Sequence, residues 1–161
     1  MSHPSAGMAP HLPSQEQMAT YANRQGELGW ILEALVNEEP DVRHAVAVSA
    51  DGLLVARSAG LDRDGAERLA AGVSGMASIT GGLCRDFHGQ AVIYTTVTML
   101  VGTVLILGVP GPAAGALAVV TGSEPEIGRV GAACTRLVKR LGDALSVPPA
   151  AAGVPGQHAA H

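Results

Sequence analysis

Two cysteines, six histidines and fourteen carboxylates are the side chains of this 161-residue sequence that could ligate a metal, attack a carbonyl or shuttle a proton. Their spacing supports none of these. Cys84 and Cys134 lie fifty residues apart with no CxxC, so neither a zinc site nor a disulfide framework is indicated. Both fall on or near apolar helical patterns, where cysteine behaves as a small buried hydrophobe, and no base adjoins either to activate a thiolate. The histidines do not cluster. His3, His11, His158 and His161 sit near the ends, His44 precedes a strand pattern and His88 follows a helical one. The Gly/Pro-rich stretch Gly108–Gly115 lacks the lysine of a phosphate cradle, and GxGxxG, HExxH and GxSxG are all missing. The expectation is a protein that is not an enzyme, with no cofactor and no metal.

Composition narrows the alternatives further. Ten Lys+Arg face fourteen Asp+Glu, a net charge of −4, which argues against a nucleic-acid partner and against a polybasic membrane anchor. Only four residues are aromatic (Tyr21, Trp30, Phe87 and Tyr94), so the core must be built from Val, Leu, Ile and Ala. The first residues carry neither a basic region nor an apolar run, so a cytoplasmic setting is expected, with membrane association only through partners. No charged residue occurs between Phe87 and Ser123. Within that stretch Ala91–Val109 has the length of a membrane span. Its threonines, its β-branched content and the break at Gly102 instead predict two strands joined by a tight turn, with no direct membrane insertion.

The elements that would position these residues can be read from periodicity. Residues 1–22 and 147–161, rich in Pro, Gly, Ala and Ser, read as tails around one domain at 23–146. Leu28, Ile31, Leu32, Leu35 and Val36 mark one face of a helix that ends before Pro40. Ala45–Ser49 and Leu53–Ser58 flank Asp51-Gly52, which predicts a hairpin with a type I′ turn. A second helix is expected from Asp64 to Phe87, with Asp64 and Glu67 as a variant capping box. Its apolar face holds Leu69, Val73, Met76, Thr80, Leu83 and Phe87, and its flank holds Gly65, Gly72, Gly75 and Gly82. Strands follow at Ala91–Met99, Thr103–Leu107 and Ala116–Val120. A last helix starts at Ser123, capped by Glu126, with the stripe Ile127, Val130, Cys134, Leu137, Val138, Leu141 and Leu145.

The order α-β-β-α-β-β-β-α, with the segment Val46-Ala47-Val48-Ser49-Ala50-Asp51-Gly52-Leu53-Leu54-Val55-Ala56, resembles the roadblock/dynein light chain (LAMTOR-type) domain family. The likeness extends through Arg68-Leu69-Ala70-Ala71-Gly72 to Leu137-Val138-Lys139-Arg140-Leu141-Gly142. The opening Leu28-Gly29-Trp30-Ile31-Leu32 is similar to the actinobacterial branch encoded beside Ras-like GTPases and sensor histidine kinases. The resemblance implies an α+β fold: a five-stranded antiparallel sheet, the second helix on one face and the terminal helices on the other. It also implies a homodimer in which third strands pair and second helices pack, and a non-catalytic role as regulator or scaffold of a small Ras-like GTPase. The sequence departs from the branch at Met99-Leu100-Val101-Gly102, where polar turn residues are usual. A sensory ligand-binding module is the alternative reading, and it would need a pocket with converging polar groups.

Two sets of residues are therefore candidates for function. Gly72, Gly75, Ile79, Gly82, Val92, Tyr94, Thr96 and Thr98 are expected at a homodimer interface, because the strand Ala91–Met99 would otherwise leave an uncharged open edge. Trp30, off the apolar stripe of the first helix, and the carboxylates Glu38, Glu39 and Asp41 are expected at a surface for a GTPase or a histidine kinase.

Overall fold

A computed structural model describes residues 14–111 and 115–146. Helix α1 spans Gln15–Glu38, followed by β1 (Val42–Val48), β2 (Leu54–Arg57), α2 (Arg63–Asp86), β3 (Thr95–Thr98), β4 (Thr103–Val109), β5 (Gly115–Thr121) and α3 (Ile127–Ser146). The strands form one antiparallel sheet in the order β2-β1-β5-β4-β3. Alternation along the strands divides the core in two. Ala45, Ala47, Leu105, Leu107, Leu117 and Val119 point to α1 and α3, where Leu28, Leu32, Leu35, Val130, Cys134, Leu137 and Leu141 close over them. Val46, Val48, Ile106, Ala116 and Ala118 point the other way, to Ala66, Ala70 and Val73 of α2. The central strands β1, β5 and β4 are covered on both faces, which explains their continuous apolar runs.

Local details differ from the sequence expectations. Helix α1 begins at Gln15, inside the segment read as a tail. Ser14 caps it in a reciprocal box with Gln17, and its first turns are polar and exposed, so no apolar stripe announces them. The remainder of the two expected tails, 1–13 and 147–161, lies outside the described residues. The hairpin turn is not type I′: of Asp51 and Gly52 only the glycine has positive φ, at 84°. Ser49 and Gly52 close a turn through Gly52 N–H to Ser49 C=O at 3.0 Å, and Ser49 N–H donates to Leu53 C=O at 2.9 Å. That is a three-residue loop with glycine at the bulge position, which the same Asp-Gly pair serves equally well. The Ser123/Glu126 box gives way to a distant carboxylate, since the N–H of Glu126 donates to Asp41 at 3.0 Å and α3 starts only at Ile127.

Helix α2 runs unbroken through Gly81-Gly82. Asp62 occupies its N-cap position, and the Asp64/Glu67 box is replaced by an Arg63–Glu67 ion pair at 2.9 Å. Its C-terminus closes with the N–H of Gly89 on Cys84 C=O (2.8 Å) and that of His88 on Arg85 C=O (3.3 Å). This is a Schellman motif with His88, φ 55°, in the left-handed position usually held by glycine. Beyond it the chain runs outside the sheet to Thr95, with the N–H of Ala91 on Gly89 C=O at 2.7 Å, so the strand expected over Ala91–Met99 is reduced to Thr95–Thr98.

Candidate interaction surface

The outer edge of β3 is open, since β4 is its one partner in the sheet among the described residues. Its register with β4 (Thr95 opposite Ile106, Thr98 opposite Thr103) leaves Thr96 and Thr98 exposed and Thr95 and Val97 half-buried. Thr95 Oγ1 donates to Thr80 Oγ1 at 3.4 Å, tying this edge to the second half of α2. The first half of α2 is anchored by buried Ala66, Ala70 and Val73, whereas the second half projects large apolar side chains outward. Leu83 is 52% exposed and Phe87 79%, although both lie on the face the sequence assigned to the core. Ile79, Val92, Ile93 and Tyr94 are exposed beside them. Exposed apolar surface this concentrated, along an unprotected strand edge, is the signature of an interaction site.

Of the expected interface residues, Thr96 and Thr98 lie on this edge and Ile79, Val92 and Tyr94 are exposed, Ile79 on α2 and the other two in the segment before the strand. Gly72 and Gly75 lie further back on the outward side of α2, where an added Cβ would meet nothing within 4 Å. A Cβ on Gly82 would meet the end of the Arg85 side chain at an ordinary contact distance of 3.8 Å. Sequence reasoning missed Leu83 and Phe87, which it buried, and Ile93. The absence of charge from Phe87 to Ser123 was the signal available for Phe87 and Ile93, and nothing comparable marked Leu83, which is followed by Arg85 and Asp86. The opposite edge, β2, is better guarded. Helix α1 approaches it so closely that a Cβ on Gly29 would stand 3.6 Å from Arg57 C=O, and the Arg57 guanidinium turns back to bond Leu61 C=O.

The expected acidic partner surface is altered by a residue far along the chain. Arg129 of α3 bonds Asp41 through Nη2 at 2.7 Å and Glu39 through Nε at 3.2 Å. Glu33 accepts the N–H of Ala59. Glu39 and Asp41 therefore fasten α3 to the α1–β1 corner, and Glu38 alone of the three stays a plain exposed carboxylate. Asp41 caps α3 from outside the helix, and such caps contribute about 1 kcal/mol, with an ion pair added here. Asp41→Ala is expected to lower the unfolding free energy by about 1–2 kcal/mol in urea titration. Trp30 is 69% exposed and borders an open groove of about 680 Å³ between α1 and β2, with Arg57, Arg63 and Glu67 along it.

No group of His, Cys, Asp and Glu among the described residues could hold a metal ion. Cys84 and His88 border a second open cleft of about 530 Å³ beside Arg85 and Val92. Cys134 is fully buried, and burial pushes its thiol up to about 12. The folded state thus holds this proton longer than the unfolded chain, whose thiol titrates near 9.0. The associated stability is complete below pH 9 and is lost as pH rises toward 12. Cys134→Ala is expected to flatten that alkaline decline, as read by melting temperature against pH. A thiol reagent at neutral pH should modify Cys84 and leave Cys134 untouched.

The family model for the Roadblock/LC7 domain matches residues 28–110, from the buried half of α1 to the end of β4. The chain belongs to the Roadblock/LC7 family. Two crystal structures of Roadblock/LC7 domains from Streptomyces avermitilis are similar to it. One is 29% identical with a TM-score of 0.67, over 73% of this chain and 96% of that one. The other is 32% identical with a TM-score of 0.58, over 71% and 97%. The gliding protein MglB from Thermus thermophilus shares the fold at 20% identity and a TM-score of 0.63, over 78% of this chain and 90% of that one. No curated protein matches the sequence. The roadblock fold inferred from element order is thus the observed one, with α2 on one face of the sheet and α1 and α3 on the other. No helix among the described residues is long and apolar enough to cross a membrane, and the run Ala91–Val109 forms the approach to β3, the strand itself and β4.

Proposed function

We propose that this roadblock domain is a non-catalytic homodimer that regulates or scaffolds a small Ras-like GTPase in a bacterial signalling complex. The observation that carries the reading is the open β3 edge flanked by the exposed apolar end of α2. Pairing β3 with β3 and α2 with α2 about a two-fold axis would satisfy the free backbone groups and bury Ile79, Leu83 and Phe87 in one step. Membership of the Roadblock/LC7 family, with the regulatory role that the resemblance implies, supports the GTPase as partner. A dimer presents each remaining surface twice, and exposed Trp30 with Glu38 is the surface assigned to the GTPase or to a histidine kinase.

Trp30 is the one tryptophan in the chain and so reports directly on that surface. In the free protein its emission should be red-shifted and readily quenched by iodide, as for a solvated indole. Titration with Ras-like GTPases loaded with GDP or a GTP analogue should shift and protect the emission for one nucleotide state more than the other. A GTPase bound with equal affinity in both states, or no binding across the set, would overturn the regulatory reading.

A further inference from the structure

Helix α3 buries Val130, Cys134, Leu137 and Leu141 against the sheet and leaves Arg136, Lys139 and Arg140 exposed. The three stand at i, i+3 and i+4, so they form one ridge on the outward face. They are three of the ten Lys and Arg residues of a chain whose net charge is −4. All fourteen Asp and Glu fall within the described residues, and none forms an ion pair with these cations. Asp143 follows on the same face, four residues after Lys139, and it too stays unpaired. Like charges at these spacings repel and destabilise a helix. None of the three stands in the last turn, where the helix dipole would favour a cation. The fold thus gains neither an ion pair nor a capping contact from this ridge.

We propose that the α3 ridge is a docking surface for an acidic segment of a partner protein. Complementary charge selects the occupant: three cations left unneutralised by their own chain are held on one rigid helix face, where carboxylates of a partner would pair with them. The inference goes beyond the GTPase reading. The ridge lies on the sheet face away from α2, so it stays open whether or not α2 and β3 pair with a second copy. It is also opposite in sign to Glu38 on the surface assigned to the GTPase or kinase, so an acidic and a basic partner have separate places on one domain. A bilayer is a poorer occupant. The apolar side of α3 is used up in the core, which leaves the helix nothing to immerse, and anionic lipid repels the acidic remainder of the chain. The same net charge opposes nucleic acid.

Fluorescence anisotropy of a labelled alanine peptide, with glutamates spaced alternately three and four residues apart, tests the ridge on the full chain. The parent should bind it, with affinity falling steadily as salt rises from about 0.02 to 0.2 M. Arg136→Gln, Lys139→Gln and Arg140→Gln together should weaken binding about tenfold, as for three exposed ion pairs lost at once. Arg43→Gln, Arg68→Gln and Arg85→Gln together change the net charge by the same amount and should leave the affinity within about twofold of the parent's. The melting temperature of the α3 variant should equal or exceed the parent's, because a repulsion is removed. Absence of peptide binding at the lowest salt overturns the docking surface, and so does equal weakening in both triple variants. A fall of several degrees in the α3 variant's melting temperature also overturns it, since the ridge would then be structural. Tighter binding of the parent to vesicles of phosphatidylcholine and phosphatidylserine, or to a short duplex DNA, than to the peptide overturns the acidic protein segment as occupant. None of these outcomes touches the dimer or the GTPase reading, which sedimentation and the Trp30 titration decide separately.

Discussion

Replacing Ile79 and Leu83 together by aspartate should leave a folded monomer. Both side chains are more than half exposed in the single chain, so their substitution removes little of the core, and surface changes of this kind move stability by about 0.5 kcal/mol or less. In the dimer the same two positions would place four carboxylates in an apolar seam, where desolvation costs several kcal/mol per charge. A rise in dissociation constant of about a thousandfold or more follows. Circular dichroism should show the parent helix content, and size exclusion should show a single species eluting as the monomer. The glycines on the outward side of α2 provide a graded companion. An added Cβ at Gly72 or Gly75 meets nothing in the chain itself, so alanine there should stabilise the monomer by about 1 kcal/mol per site through helix propensity. If these glycines permit the partner helix to come close, the same substitutions weaken the dimer.

The largest loss of stability from a single methyl group is expected at Gly115. It opens β5 opposite Val109, and a Cβ there would collide with the carbonyl oxygen of Val48 and stand 3.2 Å from its carbon. Both neighbours are backbone atoms of a central strand and neither can turn aside. Gly115→Ala must therefore push β5 away from β1 where Val48 pairs with Ala116. A loss of about 3 kcal/mol is expected, at the upper end of overpacking penalties, because backbone and not a side chain has to move. Gly108→Ala in neighbouring β4 is the control. Nothing lies within 4 Å of its added Cβ, and its stability should stay within about 1 kcal/mol of the parent. Thermal melts of the two variants side by side decide the matter.

How far the sequence determines such a structure depends on whether the deciding partner is near or far along the chain. The faces of α1 and α3 and the runs of β4 and β5 are legible because burial leaves period-3.6 or unbroken apolar patterns in adjacent residues. The start of α1 was hidden for the converse reason. Ser14-Gln15-Glu16-Gln17 is a capping box, but the sequence of the turns after it carries no apolar stripe. The Asp51-Gly52 pair marks a turn without counting its residues, which depends on the strand register on either side. Glu39 and Asp41 looked like a free acidic surface because Arg129, which neutralises them, lies 90 and 88 residues away in sequence. The same arginine and the Asp41 cap displaced the Ser123/Glu126 box. Leu83 and Phe87 continue the periodic face of α2 and are nevertheless exposed, and periodicity alone cannot tell a buried face from an exposed one.

The homodimer is the claim on which the regulatory reading and the α2 variants both depend. Sedimentation equilibrium of the parent chain from about 1 to 100 μM tests it without any substitution. A mass twice the 16.2 kDa of the single chain, falling toward the monomer only at the lowest concentrations, is the expected result. A mass of 16.2 kDa throughout that range would contradict it.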